Sequence, residues 1–436
     1  MASKIFIQGH PEESCPSPEE YEAQVSLWAA TPGFTIHHNF NQLWTTPRLP
    51  GPEYQSLLLL AAAVWAADKL VNRITAPDAW TRELTLEIPV NLSWMAPVTE
   101  LAPLLDFLTG DHWRLVPRPG SPDLGFQSEW KLPWIPDLVC LFSGGVDSLV
   151  GAIDFLEAGY RLLLVSHYDF GQLAGYQKNL AMALTQHYGP DRVQGLGLRV
   201  QLEAPELSLR SRSLLFIALG LAAAGAFGSR MPLLVPENGF ISLNPPLTLN
   251  RLGSYSTRTT HPYFTHNLRE LCRQANIHHP LVNPYQGQTK GEMLARCRGG
   301  ELLRALLPYT LSCSHPVVSR WHRQPQGNCG YCFPCLLRRA ALHQINADQG
   351  RDYLYDALGD ERLLANRVRG ADLRSLLFAL QNWEDSNRQA RLRLHRTGPL
   401  PGDLESRHQV LEAGMTEIKT WLWDKAHSHL RQYANW

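Results

Sequence analysis

The sequence predicts an α/β protein organised around a parallel sheet, with a small α+β region before it and a helical extension after it. Three observations point there. From Leu138 an apolar run passes through a Gly-rich turn into an amphipathic helix and returns as a second apolar run at 161–166. That is the β-loop-α-β unit of a parallel sheet. Residues 1–116 mix short strands with helices, and from about Tyr353 the chain reads as helical. A length of 436 residues allows two or three domains.

In chain order, residues 4–8 and 35–39 read as strands, and 51–72, rich in Ala and Leu, as a helix. Residues 83–90 set Leu84, Leu86, Ile88 and Val90 against Thr85, Glu87 and Pro89, a strand in spite of its proline. A helix near 98–108, a turn at Thr109-Gly110-Asp111 and a strand at 113–116 follow. Trp28, Trp44, Trp65, Trp80, Trp94 and Trp113 crowd this region, as core aromatics or as a partner-binding face. Pro117, Pro119, Gly120, Pro122, Pro133 and Pro136 mark a linker over 117–136, because proline interrupts regular elements. Beyond it come a strand at 138–142, a helix to about Gly159, a strand at 161–166, helices at 172–188 and 213–228, and a strand at 233–235. Residues 361–383 and 404–432 are the longest helical candidates of the extension. The expected divisions are 1–116, 137–343 and 344–436.

Composition narrows the function. Apolar residues make up 44% and charged residues 18%, which suits buried cores and not disorder. Lys+Arg and Asp+Glu are both 40, so net charge gives no case for nucleic acid or membrane. The balance is uneven along the chain. Residues 1–135 hold 8 basic and 15 acidic side chains, leaving 32 and 25 beyond. The longest apolar run, 214–227, falls short of the ~20 residues a membrane span needs and reads as a buried helix. Residues 1–10 lack the pattern of an export signal, so a cytoplasmic protein is expected.

Two motifs carry chemistry. Ser143-Gly144-Gly145-Val146-Asp147-Ser148 follows a strand and opens a helix. Glycines there allow a tight turn that turns backbone N–H groups toward an anion, and the helix start adds about half a positive charge. The two serine hydroxyls suit phosphate oxygens, and Asp147 suits Mg²⁺ or the orientation of the loop. The string is neither a Walker A loop nor a dinucleotide fingerprint. Downstream, Cys329, Cys332 and Cys335 form Cys-x-x-Cys-x-x-Cys, with Cys313 before them. Four thiolates suit structural Zn²⁺, and closely spaced cysteines also suit an iron–sulfur cluster. His315 and His322 are alternative ligands, whereas Cys15, Cys140, Cys272 and Cys297 are expected to be unligated.

Together these motifs resemble the QueC-like PP-loop ATP pyrophosphatases, the 7-cyano-7-deazaguanine synthase family, over about residues 137–343. Tyr168-Asp169-Phe170-Gly171-Gln172 is similar to that family's Asp-Tyr-Gly-Gln segment. Arg212-Ser213-Leu214-Leu215-Phe216 is similar to its Arg-Asn-x-x-Phe helix start, and Thr289-Lys290-Gly291-Glu292-Met293 to its Thr-Lys-x-Glu-Ile segment. The front region and the helical extension have no counterpart in the housekeeping enzymes. Long proteins of this layout resemble the QatC proteins of Qat antiphage systems and QueC-like proteins of certain cyclic-oligonucleotide defence operons.

The resemblance implies an adenine nucleotide α-hydrolase-like domain, with ATP and Mg²⁺ at the loop and a Zn²⁺ on Cys313, Cys329, Cys332 and Cys335. It implies that Ser143, Gly144, Gly145, Asp147, Ser148, Asp169 and Gln172 surround the nucleotide. Asp147, Lys290 and Arg212 would be the catalytic residues; Glu237 and His261 are weaker candidates. The implied reaction adenylates the carboxylate of 7-carboxy-7-deazaguanine and passes the acyl group to an amine, either ammonia or the N-terminus of a partner protein. Competing readings are a synthase of the free nitrile and a nucleotide-binding adaptor without catalysis. No direct nucleic-acid partner is expected, since no strong basic patch is present.

Overall fold

The computed structural model describes every residue except 1, 29–32, 46–47, 123, 125–133, 207, 249–257, 316–317, 319–326, 384–391 and 435. The chain forms two compact units, each assembled from separated stretches: Met1–Ser143, Ala158–Val235 and Thr257–Val282 in the first, and Gly144–Glu157, Pro236–Ser256 and Asn283–Trp436 in the second. These units do not divide at residues 116, 136 or 343.

The first unit contains two sheets. One has five strands: β1 (Ser3–Ile7), β2 (Ala23–Ser26), β3 (Phe34–Thr35), β5 (Glu83–Val90) and β6 (His112–Pro119), in the order β3-β2-β1-β5-β6. Every pairing is parallel, so the front region is α/β where α+β was expected. Two devices accommodate its prolines. The β1–β5 ladder ends at Phe6↔Glu87, so Pro89 lies beyond it and faces only the edge strand β6. Pro117 and Pro119, expected in a linker, are the last residues of β6, where one side needs no N–H donor.

The second sheet has the order β11-β10-β7-β8-β9-β4. Its central strand β7 (Leu138–Leu141) pairs in parallel with β8 (Leu162–Tyr168) and β10 (Leu233–Leu234). β9 (Val193–Gln201) joins β8, and β11 (Leu281–Val282) joins β10. β9 has no counterpart in the sequence reading, because its glycines break the apolar pattern. The sixth strand, β4 (His37–His38), comes from the front region and pairs antiparallel with β9. The expected strand at 35–39 is thus split, with β3 in one sheet and β4 in the other.

Helices fill the space between the sheets. α1 (Pro52–Leu70) packs on β5 and on α5 (Arg212–Gly225), and α5 packs on β7, β8 and β10. α2 (Pro97–Thr109) packs on β6 and on α7 (Pro262–Gln274). This double covering is why α1 is apolar on every side, with Leu57–Leu60 and Ala61–Ala67 all buried. A single core runs from Ile5 and Val25 through Trp65 to Leu215 and Phe264.

At its centre lies an ion network invisible in the sequence. Arg82 donates to both Asp111 oxygens at 3.0 and 2.8 Å and to Asp68 at 2.6 Å. Arg73 donates to Asp111 at 2.9 and 2.8 Å. The other Asp68 oxygen accepts the Ser208 and Ser211 hydroxyls, both at 2.8 Å. Burial pushes the Asp68 carboxyl up, but Arg82 and the two serines outweigh it and hold it below its usual range.

The second unit contains α3 (Val146–Glu157), α6 (Gly239–Leu243), α8 (Lys290–Arg296), α9 (Gly300–Leu306) and the helices Phe333–Gln344, Glu361–Ala365, Ala371–Gln381, Leu404–Lys425 and Ser428–Ala434. Residue 343 lies inside Phe333–Gln344, so the helical extension is not an appended tail. Its core joins Cys329, Cys332 and Cys335 to Leu411, Met415, Ile418 and Trp421 of Leu404–Lys425. No helix among the described residues is long and apolar enough to cross a membrane.

Candidate active site

The Gly-rich loop is held on both of its flanks. In the first unit, Phe142 N–H donates to the Val165 carbonyl at 2.7 Å and the Gln177 amide donates to the Ser143 carbonyl at 3.1 Å. In the second, Leu311 N–H donates to the Gly144 carbonyl at 2.9 Å, and Val146 N–H donates to the Ser312 hydroxyl at 3.2 Å. Gly144 has φ 82°, a left-handed conformation that favours glycine. Ser148 donates its hydroxyl to the Gly145 carbonyl at 2.9 Å, within the first turn of α3.

Asp147 is buried at the start of α3. Its Oδ1 pairs with Lys290 Nζ, and its Oδ2 accepts Asn238 N–H at 3.1 Å and the Asn238 side-chain amide at 2.6 Å. Burial pushes the carboxyl up, yet Lys290 and the hydrogen bonds from Glu237 and Asn238 hold it well below the usual carboxylate range. Beside it, Glu237 is pushed well above its usual range, first by burial and then by the Asp147 charge. Of the two carboxyls, Glu237 is therefore the one that holds its proton to the higher pH. Asn238 also caps α6, its Oδ1 accepting Ile241 N–H at 2.9 Å. Lys290 is set by a capping box: Thr289 Oγ1 accepts Glu292 N–H at 3.1 Å and Glu292 Oε2 accepts Thr289 N–H at 2.8 Å. The structure thus joins Asp147, Lys290 and Glu237, and adds Asn238, which the sequence reading passed over.

The first unit gathers a second group. Arg212 donates from Nε to His167 Nδ1 and from Nη2 to the His167 carbonyl, both at 3.2 Å. His167 is fully buried; burial and the Arg212 charge push it well below its usual pKa and keep it neutral. Asp169 lies 3.9 Å from Lys69, whose ammonium sits 4.6 Å from the centre of the Trp65 ring. Burial lowers both Lys69 and Arg212, while Asp169 opposes it. Lys69 was unforeseen, though a cation ending an otherwise apolar helix was the available signal. Gln172 stands in the first turn of α4 (Gly171–Tyr188). Between α4, β8 and β9 opens a cavity of about 530 Å³, lined among others by Ser166, Tyr168, Gln177, Lys178, Gly195 and Gly197. The buried Gln177 Oε1, in its wall, has no hydrogen-bond partner. His261, by contrast, caps α7 through Nδ1, which accepts Tyr263 N–H at 3.2 Å, and packs 5.0 Å from the Phe107 ring.

Cys313, Cys329, Cys332 and Cys335 place their sulfurs within 4.8 Å of one another. The Cys313–Cys332 and Cys329–Cys335 separations are both 3.9 Å. Four sulfurs ~2.3 Å from one tetrahedral ion stand about 3.8 Å apart, so the set fits Zn²⁺. Backbone N–H groups of His315 and Cys329 donate to Cys313 Sγ at 3.3 Å, as thiolate ligands require. His315 stacks on Tyr331 outside the quartet, and His322 lies outside the described residues. Cys140, Cys272 and Cys297 are buried elsewhere, where burial raises their thiols. The cluster is mechanically linked to the loop: Ser312, next to Cys313, holds Val146, and Phe333–Gln344, which carries Cys335, packs against α8, the helix that begins at Lys290.

With this geometry in view, the chain is similar to the 7-cyano-7-deazaguanine synthase of Novosphingobium aromaticivorans, 28% identical over 251 residues. The match spans 51% of this chain and 96% of that protein. No family profile matches the chain. No solved structure matches it either.

Proposed function

We propose that the protein is an ATP-dependent enzyme that adenylates the carboxylate of 7-carboxy-7-deazaguanine and couples it to an amine, the N-terminus of a partner protein in an antiphage system. The observation that carries this reading is the match of half the chain to nearly the whole of a 7-cyano-7-deazaguanine synthase. The other half, including the front region and Leu404–Lys425, supports an acceptor larger than ammonia.

A carboxylate is a poor electrophile, being anionic and lacking a leaving group. In the proposed reaction its oxygen attacks the α-phosphorus of ATP, the bond to the β-phosphate oxygen breaks, and pyrophosphate leaves. The amine nitrogen then attacks the acyl carbon, the C–O bond to AMP breaks, and the surplus nitrogen proton passes to a base. The turn at Gly144 and the start of α3 are suited to the pyrophosphate charge, in the manner of helix N-termini that bind phosphate. Lys290, already partnered by Asp147, supplies fixed positive charge. Arg212 and Lys69 suit an anionic acid, and the cavity beside Gln177 suits a heteroaromatic base, whose amino group would satisfy Gln177 Oε1. Mg²⁺, when bound with ATP, neutralises phosphate charge. A closed four-cysteine Zn²⁺ site serves structure.

The experiment supplies ATP and 7-carboxy-7-deazaguanine with either ammonium or candidate partner proteins. It follows AMP and pyrophosphate, and weighs the partner's N-terminal peptide by mass spectrometry. AMP formation that depends on the acid, with a deazaguanine mass on the partner, is expected. ATP left intact with the acid and every amine would overturn the reading. The second reading, a free nitrile synthase, is favoured by the name of the matched relative and predicts 7-cyano-7-deazaguanine from the acid, ammonium and ATP with no partner protein, the carboxylate and then the amide oxygen each leaving as AMP.

A further inference from the structure

We infer that Leu404–Lys425 belongs to the machinery of the Asp147–Lys290 site, and that Glu417 on it is a positioning residue for Lys290. Glu417 Oε2 accepts the Thr289 hydroxyl at 2.6 Å and the Gly291 N–H at 3.0 Å, the residues on either side of Lys290. The Thr289 hydroxyl accepts from Glu292 N–H while donating to Glu417, so its orientation is determined. Gly291 is what lets the carboxylate in: a Cβ there would lie 2.4 Å from Glu417 Oε2 and 2.6 Å from Gln344 Cγ. Glu417 therefore fixes the backbone from which Lys290 reaches Asp147.

The same helix face braces the other arm of the site. Val410, Gly414 and Glu417 fall at i, i+4 and i+7, one stripe of a helix. Gly414 admits the Phe240 ring, whose Cδ2 would be 2.1 Å from any Cβ at that position. Val410 Cγ1 would likewise lie 2.9 Å from a Cβ on Gly239. Gly239 and Phe240 directly follow Asn238, which holds Asp147 Oδ2. Both groups that occupy the Asp147 oxygens are thus seated on one stripe of one helix. Two arms braced on a common rigid element keep their separation, which is how a charge pair is held ready for a reacting group.

The inference takes its activity readout from the proposed reaction, so a second readout is independent of it. Glu417→Ala, Glu417→Gln and, as an exposed control on the same helix, Lys419→Ala are purified as full chains. Each is assayed for acid-dependent AMP formation, and Lys290 acylation by an amine-reactive ester is timed by peptide mass spectrometry. For Glu417→Ala a kcat loss on the order of 10-fold is expected, with little change in KM for ATP, because displacing a group by a fraction of an ångström acts on the chemical step. Glu417→Gln keeps an acceptor without its charge, and a loss of about 3-fold is expected. Lys290 acylation rises in Glu417→Ala, and the control matches the unmodified protein. If the unmodified protein forms no AMP, the functional reading fails and acylation alone decides. A folded Glu417→Gln or Glu417→Ala with unchanged Lys290 acylation, and unchanged kcat where turnover is measurable, overturns the inference.

Discussion

The buried carboxylates around Asp68 in the first unit and around Asp147 in the second are built from different chemistry. In the first unit Asp68 and Asp111 are met by Arg73 and Arg82, with serine hydroxyls closing Asp68. Guanidinium is permanently charged and forked, so every proton there has one address. In the second, Asp147 has one lysine, one asparagine and a neighbouring carboxyl, Glu237, driven toward its neutral form. Ammonium and carboxyl groups can change partner or protonation when a ligand arrives. The first arrangement staples a fold; the second can do chemistry.

That contrast can be broken by experiment. The largest effect is expected from the cysteine quartet, because a metal site of this kind couples binding to folding. A strong chelator, or Cys329→Ser, should abolish activity and melt the second unit, checked by metal analysis and circular dichroism. Retention of one metal ion per chain in Cys329→Ser would contradict the quartet. Next, Asp68→Ala should cost about 3–5 kcal/mol of stability by leaving the buried Arg73 and Arg82 to share Asp111 alone, seen as a fall in Tm. What stays folded should keep its kcat. Asp147→Ala should do the reverse, losing ~10²–10³ in the rate of AMP formation with a smaller change in Tm. Equal effects of the two substitutions on both readouts would erase the distinction between the clusters.

The smallest expected effect is a pH dependence. Glu417 is raised from 4.5 to about 7, chiefly by burial, while Thr289, Gly291 and Lys290 pull it down and Glu292 pushes it up. Between those values the folded state binds more protons than the unfolded chain, so this group makes stability fall as pH rises from about 4.5 through 7. Glu417→Gln removes the term. Its Tm relative to the unmodified protein should therefore increase over that interval, and a flat difference would refute the assignment.

Much of this was legible in the chain itself. The strand at 83–90, the helix ending at Gly110, the β7-loop-α3 passage and the cysteine spacing are local patterns: side-chain alternation, helix signals and ligand intervals act over a few residues. The Asp147–Lys290 pair was partly legible, since both residues lie in recognisable segments, but nothing local says that a lysine 143 positions away becomes the partner. Asn238, His167 and Glu417 were illegible, because their meaning comes from what folds against them.

The sequence by itself determined that a parallel α/β core would form, where a glycine-rich turn would open a helix, and which four thiols would meet. Those properties follow from backbone geometry and short-range periodicity. Tertiary structure alone decided that the front region would lend β4 to the second sheet, that its Asp68 and Asp111 would meet arginines inside the core, and that Leu404–Lys425 would set one face against the residues flanking Lys290 and following Asn238. Burial and charge pairing depend on residues brought together from distant parts of the chain, and long-range closure is the one quantity that local pattern does not encode.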